Sequence, residues 1–230
     1  LGLFVAQLRG KPLLAEQRRL VDRIDASVSA IGALLDSLLD ISRLDAGAVS
    51  PEIADFPVNN LLSRMEDEFM EAAEEKGLRF RVVPSRVWVT SDPVLLERIV
   101  TNLVSNALRY TRRGGVIVGC RRHGAKLRIL VCDTGRGIPA DEQQRIFAEF
   151  YQLANPEHDR SQGLGLGLAI VDRLARLLGH YVEVRSKEGK GSMFIVTVPR
   201  GTPGAATQPA RAVETGISRG TLVALIDDDA

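Results

Sequence analysis

The sequence predicts an α+β chain, a helical hairpin followed by an α/β sandwich. Three observations lead there. Val21, Ile24, Val28, Ile31, Leu35 and Leu38 recur at alternating steps of three and four, which is a helical packing seam and not a strand. Beyond residue 78, short β-type runs alternate with amphipathic helical stretches, the pattern of a sheet covered by helices on one side. Between the two regions Gly47, Ser50 and Pro51 break the helical periodicity and mark a boundary.

Taken in order, residues 1–9 carry a helical pattern (Leu1, Phe4, Val5, Leu8) that Gly10, Lys11 and Pro12 interrupt. A helix over about 14–46 follows, so residues 1–50 read as a partial helical hairpin. Its seam, continued by Ile41 and Leu44, is too wide for two helices to bury, and a homodimer closing a four-helix bundle is expected. The chain starts inside a helical pattern without a Met and reads as a fragment of something longer. An extended link from Glu52 to Phe56 leads to a helix over about 58–76 that closes on Gly77. Strands are predicted over 78–83 and 86–90. Asp92 as N-cap and Pro93 at the first helical position open the next helix. Gly114 and Gly115 then turn the chain into a hairpin of strands 116–121 and 127–132, joined through His123 and Gly124. A short helix is predicted over 141–149, a polar loop over 151–162, a helix over 166–178, and strands over 181–186 and 192–198. Residues 201–220, rich in Gly, Pro, Ala and Thr, read as a linker, and 221–230 as a buried strand running into an acidic cluster.

Composition excludes several classes. A net charge of +1 across 230 residues carries no electrostatic footprint for nucleic acid or an anionic membrane surface. No apolar run approaches the ~20 residues a membrane span requires, so no membrane contact is expected of this stretch. Cys120 and Cys132 lie in apolar runs and read as small buried hydrophobes of a reducing compartment.

The chemistry-bearing residues begin on the helix that Asp92 opens. Asn102, Asn106, Arg109 and Tyr110 stand at i, i+4, i+7 and i+8, one face of a helix, while Ile99, Leu103 and Ala107 follow a neighbouring stripe. Solvated faces usually carry Lys and Glu, because Asn is a mediocre helix former. In "DTGRGIP" (133–139) an acid at a strand end precedes Gly135 and Gly137. Asp133 there can accept from an exocyclic amine, and the glycines allow close backbone approach. In "GLGLGLAI" (163–170) Gly163, Gly165 and Gly167 open a helix, placing backbone N–H groups and a positive helix end where a phosphate can meet them. No Walker Lys-Ser/Thr pair follows, and neither a Rossmann turn nor a protein-kinase His-Arg-Asp loop is present.

Together, and in this order, the Asn102/Asn106 helix, "DTGRGIP", "IFAEFYQ" (146–152) and "GLGLGLAI" resemble the N, G1, F and G2 boxes of sensor histidine kinases. "LLDSLLDISRLDAGAV" (34–49) resembles the end of their dimerisation and phosphotransfer hairpin. The resemblance covers residues 1 to about 200. It implies an ATP-binding catalytic domain over 51–200, with ATP and Mg²⁺ as ligands and Asn106 as the metal ligand beside Asn102. Arg109 would lie near the phosphates, and Tyr110 would pack at the nucleotide edge. Asp133 would take the adenine amine in a pocket shaped by Gly135, Gly137 and Ile138. Residues 151–165 would form a lid offering Arg160 and Gln162, and Gly163, Leu164, Gly165, Leu166 and Gly167 would wrap the triphosphate. Leu164 stands where Thr is frequent in the family.

Related ATPases of the gyrase kind place a general-base Glu at the position of Asn102; here that carboxylate is absent, so slow hydrolysis is expected. None of the chain's histidines, His123, His158 and His180, lies in the hairpin. The resemblance therefore puts the phosphoryl acceptor upstream of Leu1, no catalytic nucleophile inside the stretch, and self-labelling out of its reach. The tail, with Asp227, Asp228 and Asp229, resembles the first strand of a receiver domain, which implies a hybrid kinase. The expected partners are a second copy, through the hairpin, and a receiver domain or response regulator. A cytoplasmic setting is expected, with membrane tethering of the parent left open. A nucleotide-binding scaffold that regulates a dimer without phosphotransfer is the alternative.

Overall fold

The computed structural model describes residues 15–153 and 165–203. The first hairpin helix, most of the lid, the linker's later part and the receiver-like tail lie outside these residues. Helix α1 (Ala15–Asp45) is followed by β1 (Ala54–Pro57), α2 (Val58–Glu75), β2 (Arg79–Val82), β3 (Trp88–Ser91) and α3 (Pro93–Tyr110). Then come β4 (Gly115–His123), β5 (Lys126–Asp133), a 3₁₀ turn (Arg145–Phe147), α4 (Gly167–Leu177), β6 (Tyr181–Lys187) and β7 (Gly191–Pro199).

Five strands form one sheet in the order β2-β4-β5-β7-β6, parallel only between β2 and β4. The inward positions of β4 and β5 (Val116, Val118, Leu127, Ile129, Val131) pack against Leu96, Ile99, Val100 and Leu103 of α3 and Leu174 of α4, all at 1% exposure or less. Period-2 alternation on the strands thus meets a helical stripe, the α/β sandwich that the sequence predicts. Helix α3 starts as its sequence requires. Asp92 Oδ1 accepts from the Val94 and Leu95 N–H groups at 2.9 Å each, and Oδ2 accepts from Glu52 N–H at 2.8 Å. Helix α2 ends at Gly77, whose φ of +65° lets Leu78 N–H return to Ala73 O at 2.9 Å.

Two predicted elements differ. The link Glu52–Phe56 contains a true strand, β1, paired antiparallel with β3 in a separate two-stranded ribbon. The predicted helix over 141–149 is a series of turns with a 3₁₀ turn at its centre. Ile146 N–H reaches Glu142 O at 3.1 Å, but Arg145 and Ala148 N–H close three-residue bonds to Glu142 and Arg145 O, each at 2.9 Å. A nine-residue segment barely repays helix nucleation, and the tighter bonds win. Neither cysteine is fully buried. Cys120 packs against the core with its thiol pushed up to about 12 by burial, and Cys132 lies half-buried on the other face of the sheet.

Helix α1 divides its seam. Ile41 is buried against the sandwich, at 6% exposure, whereas Ile24, Ile31 and Leu35 are 48%, 59% and 54% exposed. The last turns of the helix are therefore covered by this chain's own domain, whereas Ile24, Ile31 and Leu35 are open and Val21, at 7% exposure, is buried outside the sandwich core.

His180, between α4 and β6, is buried beside Ser91 at the end of β3, with His180 Nε2 and Ser91 Oγ hydrogen-bonded at 2.7 Å. Desolvation lowers its pKa to about 4 from an ordinary 6.5, so folding excludes the imidazolium. The unfolded chain binds this proton first as pH falls. Stability is accordingly full above about pH 6.5 and is lost progressively toward pH 4, by an amount on the order of 2–3 kcal/mol. Urea midpoints at pH 7.5 and pH 5.0 should differ in the wild type, and the gap should shrink in His180→Gln.

Candidate functional site

The first turn of α4 runs against the polar stripe of α3. A Cβ built on Gly167 would sit 3.0 Å from Asn102 Oδ1 and 3.7 Å from Asn106 Nδ2, so the glycine brings the positive end of α4 up to the two amides. The Asn102 amide is held in place: its Nδ2 donates to Arg98 O at 2.8 Å. The Asn106 side chain makes no hydrogen bond to any described residue and lines a cleft of about 670 Å³, part of it open to solvent.

Asp133 ends β5 at the back of the cleft. The register places Ser192 of β7 directly opposite it. Asp133 Oδ1 accepts from Gly135 N–H at 2.8 Å and from Ser192 N–H at 3.3 Å, which leaves Oδ2 outside that pair of bonds. Burial raises the carboxyl above the usual carboxylate range, and the Gly135 and Ser192 hydrogen bonds oppose the rise. Two glycines shape this corner. A Cβ on Gly135 would lie 2.5 Å from Tyr110 O. Gly137 has φ +71°, and a Cβ there would overlap the Lys187 carbonyl. Beyond it, Ile138 N–H donates to Ser186 Oγ at 2.8 Å, and Gln143 Nε2 bridges Ile138 O and Ser186 O at 3.1 and 3.0 Å.

Ala107, Ile138, Ile146, Leu168 and Phe194 supply apolar walls, and Tyr110 and Tyr151 also line the cleft. A slot with apolar walls, one fixed carboxylate at its end and a helix N-terminus at its mouth suits a flat heterocycle bearing an amine and an anionic chain. The residues fit an adenine nucleotide. They fit its magnesium only through Asn106, since among the described residues no group of three His, Cys, Asp or Glu could hold a metal. Nucleotide phosphates and water would have to complete the metal's oxygen shell.

Of the residues the sequence singles out, Asn106, Tyr110, Asp133, Gly137 and Ile138 line the cleft. Asn102 faces Gly167, Gly135 backs Asp133, and Leu166 is buried at the N-cap of α4. Gly165, at φ +72°, lies against the Tyr151 carbonyl. Arg109 is exposed on the last turn of α3 and does not line the cleft. Arg160, Gln162, Gly163 and Leu164 lie outside the described residues. Sequence reasoning missed Arg136, Leu168, Ser192 and Phe194. Arg136 and Leu168 had a signal, lying inside "DTGRGIP" and "GLGLGLAI", and Ser192 had one in the turn "EGKGS" opening the strand that pairs with Asp133.

The fold and the cleft define an ATP-binding α/β sandwich. Residues 91–202 match the family described as histidine kinase-, DNA gyrase B-, and HSP90-like ATPase. A sensor-like histidine kinase of Rhizobium meliloti (strain 1021) is 36% identical over 83% of this chain and 37% of its own length. The aerobic respiration control sensor protein ArcB of Escherichia coli (strain K12) is 34% identical over 81% of this chain and 25% of its own. The crystal structure of full-length ShkA in complex with AMPPNP superposes with a TM-score of 0.73 at 31% identity, over 88% of this chain and 42% of ShkA. The chain carries the ATP-binding catalytic domain of a histidine kinase, and it spans less than half the length of each of these relatives.

Gly137→Ala should cost at least about 2 kcal/mol more than Gly124→Ala. Both glycines have positive φ, but a Cβ at 124 meets nothing within 4 Å, so only the backbone preference of ~1 kcal/mol is lost there. Thermal melts of the two variants measure the difference.

Proposed function

We propose that this domain binds Mg-ATP in the cleft between α3 and α4 and presents the γ-phosphate to a histidine of a dimeric helical hairpin, for onward transfer to a receiver aspartate. The observation that carries the reading is the convergence of the Asn106 amide, the Asp133 carboxylate and the N-terminus of α4 on one apolar-walled cleft. The AMPPNP in the ShkA structure supports the nucleotide.

The roles follow from the chain's own groups. Asp133, held at Oδ1 by two backbone N–H groups, offers Oδ2 as acceptor to the adenine amine. Ala107, Ile138 and Phe194 enclose the ring faces. Asn106, whose amide oxygen suits a hard cation, is the metal ligand. The start of α4 faces the phosphates, and the lid residues Arg160 and Gln162 with Gly163 and Leu164 complete their enclosure. ATP itself supplies the transferable phosphoryl group. What the protein adds is position and a neutral, amide-lined surface that activates no water. Asn102 cannot serve as a base, because an amide has no proton-accepting carboxylate and this one is tied to Arg98 O.

No histidine occurs within residues 1–50 and His180 is buried against Ser91, so neither this stretch of the hairpin nor this imidazole offers the acceptor. The exposed seam of α1 (Ile24, Ile31, Leu35) is the surface for a second copy. A receiver domain or response regulator is the downstream partner, and residues 221–230 are the candidate start of such a domain on this chain. Among the described residues no helix is long and apolar enough to cross a membrane.

Calorimetry with Mg-ATP tests the site. Asp133→Asn keeps an acceptor for the Gly135 and Ser192 N–H groups but loses the carboxylate, and Asn106→Ala removes the amide oxygen. Each should weaken binding about tenfold or more, the scale of a charge-assisted hydrogen bond or a metal ligand, with melting of the nucleotide-free protein little changed. Unchanged affinity in both variants contradicts the assignment. Sedimentation tests the dimer: Ile31→Glu with Leu35→Glu should shift the chain to monomer without altering nucleotide affinity, whereas an unshifted distribution would place the dimer elsewhere.

A further inference from the structure

Helix α1 is bolted to the sandwich by two ion pairs near its end. Asp40 pairs with Arg98 of α3. Asp45, the last residue of the helix, takes Arg173 of α4, with Nε at 2.8 Å from Oδ1 and a second guanidinium nitrogen at 3.5 Å from Oδ2. The same guanidinium also donates to Glu149. One cation is thus shared by the end of α1, by α4 and by the segment that leads to the cleft.

That segment is held against its own preference. Phe150 has φ +57° and is the only non-glycine with positive φ among the described residues. A left-handed backbone costs a bulky residue roughly 1–2 kcal/mol, so neighbours must impose it. Tyr151 N–H donates to Ala148 O at 3.3 Å, Tyr151 Oη bonds Glu142, and the Arg145 guanidinium stacks 4.7 Å above the Tyr151 ring. Glu149, one residue before the strained turn, is held by Arg173. On the far side of the turn, Tyr151 lines the cleft, and its carbonyl lies 2.8 Å from where a Gly165 Cβ would stand.

We propose that Arg173 is a positioning residue for the nucleotide cleft: by gripping Asp45 and Glu149 together, it makes docking of the α1 end hold the Phe150–Tyr151 turn against Gly165. A planar guanidinium has enough donors to serve two carboxylates at once, which a lysine ammonium on a flexible stem does less well. Without the cation the two carboxylates repel, and Glu149 swings away with the turn. Ion pairs this exposed contribute little to overall stability, so the consequence is a displaced turn in a folded domain. The nucleotide arm of the inference rests on the proposed ATP site, and the coupling of α1 to the turn does not.

Amide hydrogen exchange on the nucleotide-free chain tests the coupling. Asp45→Asn, Glu149→Gln and Arg173→Gln should each speed exchange across residues 145–151 by about two- to fivefold, the range expected of exposed ion pairs. The double variant Asp45→Asn/Arg173→Gln should not exceed Arg173→Gln alone, because removing the cation already removes the Asp45 link. Arg173→Lys, which keeps the cation but not the two-sided donor fork, should retain part of the protection that Arg173→Gln loses. Unchanged exchange in Asp45→Asn, or additive effects in the double variant, would overturn the coupling. Calorimetry should show Mg-ATP binding weakened two- to fivefold in the same single variants, and faster exchange with unaltered affinity in all three would overturn the positioning role. Should the wild type itself not bind Mg-ATP, the functional reading falls while the exchange experiment still decides the coupling.

Discussion

The contact between Gly167 and the Asn102 amide sets the distance between α4 and α3, and the cleft exists because that distance is short. With no side chain at the first position of α4, the unsatisfied N–H groups of a helix N-terminus come up to a pair of neutral amides. Helix α3 can serve as the fixed partner because it is anchored twice, by the Asp92 cap at its start and by a row of fully buried residues from Leu96 to Leu103. The third side of the cleft depends on the sheet. Asp133 stands at the end of β5 because its neighbour β7 brings the Ser192 N–H to it, and the glycines after it leave room for the Tyr110 carbonyl.

The electrostatics follow from the same layout. A single carboxylate, partly desolvated and held by backbone donors, is the charged acceptor in the cleft. Asn102, on the stripe of α3 that faces the start of α4, is an amide committed to its own helix. On the proposed reading, such a site holds a nucleotide tightly by shape and dipoles and leaves its terminal phosphate to whichever nucleophile is brought in. Positioning then matters more than reactivity, which is why the joints between α1 and the sandwich, at Arg98 and Arg173, bear on function although each is weak as a bond.

The sandwich was readable from sequence because its signals are local and agree with one another. The alternation in β4 and β5, the stripe of α3 and the Asp92-Pro93 start each follow from short-range chemistry. The misreadings fell where tertiary contacts decide between near-equal alternatives. The chain at 54–57 is extended either way, and only its pairing with Trp88–Ser91 makes it a strand. The segment at 141–149 has helical composition but too few residues to nucleate, and contacts through Tyr151 and Glu149 pull it into turns.

For the site, the sequence by itself determined the residue types: two amides one helical turn apart, an acid at a strand end, and glycines where no Cβ could be tolerated. These are legible because each marks a local departure from what a helix or strand otherwise prefers. Only the tertiary structure decided which of them meet. Strand register put Ser192 opposite Asp133, and helix packing turned Asn102 toward Gly167 and Asn106 toward the cleft. Three residues remote in sequence, Asp45, Glu149 and Arg173, came to share one charge. No short-range pattern encodes such meetings, because they depend on the geometry of elements that become neighbours only when the core closes.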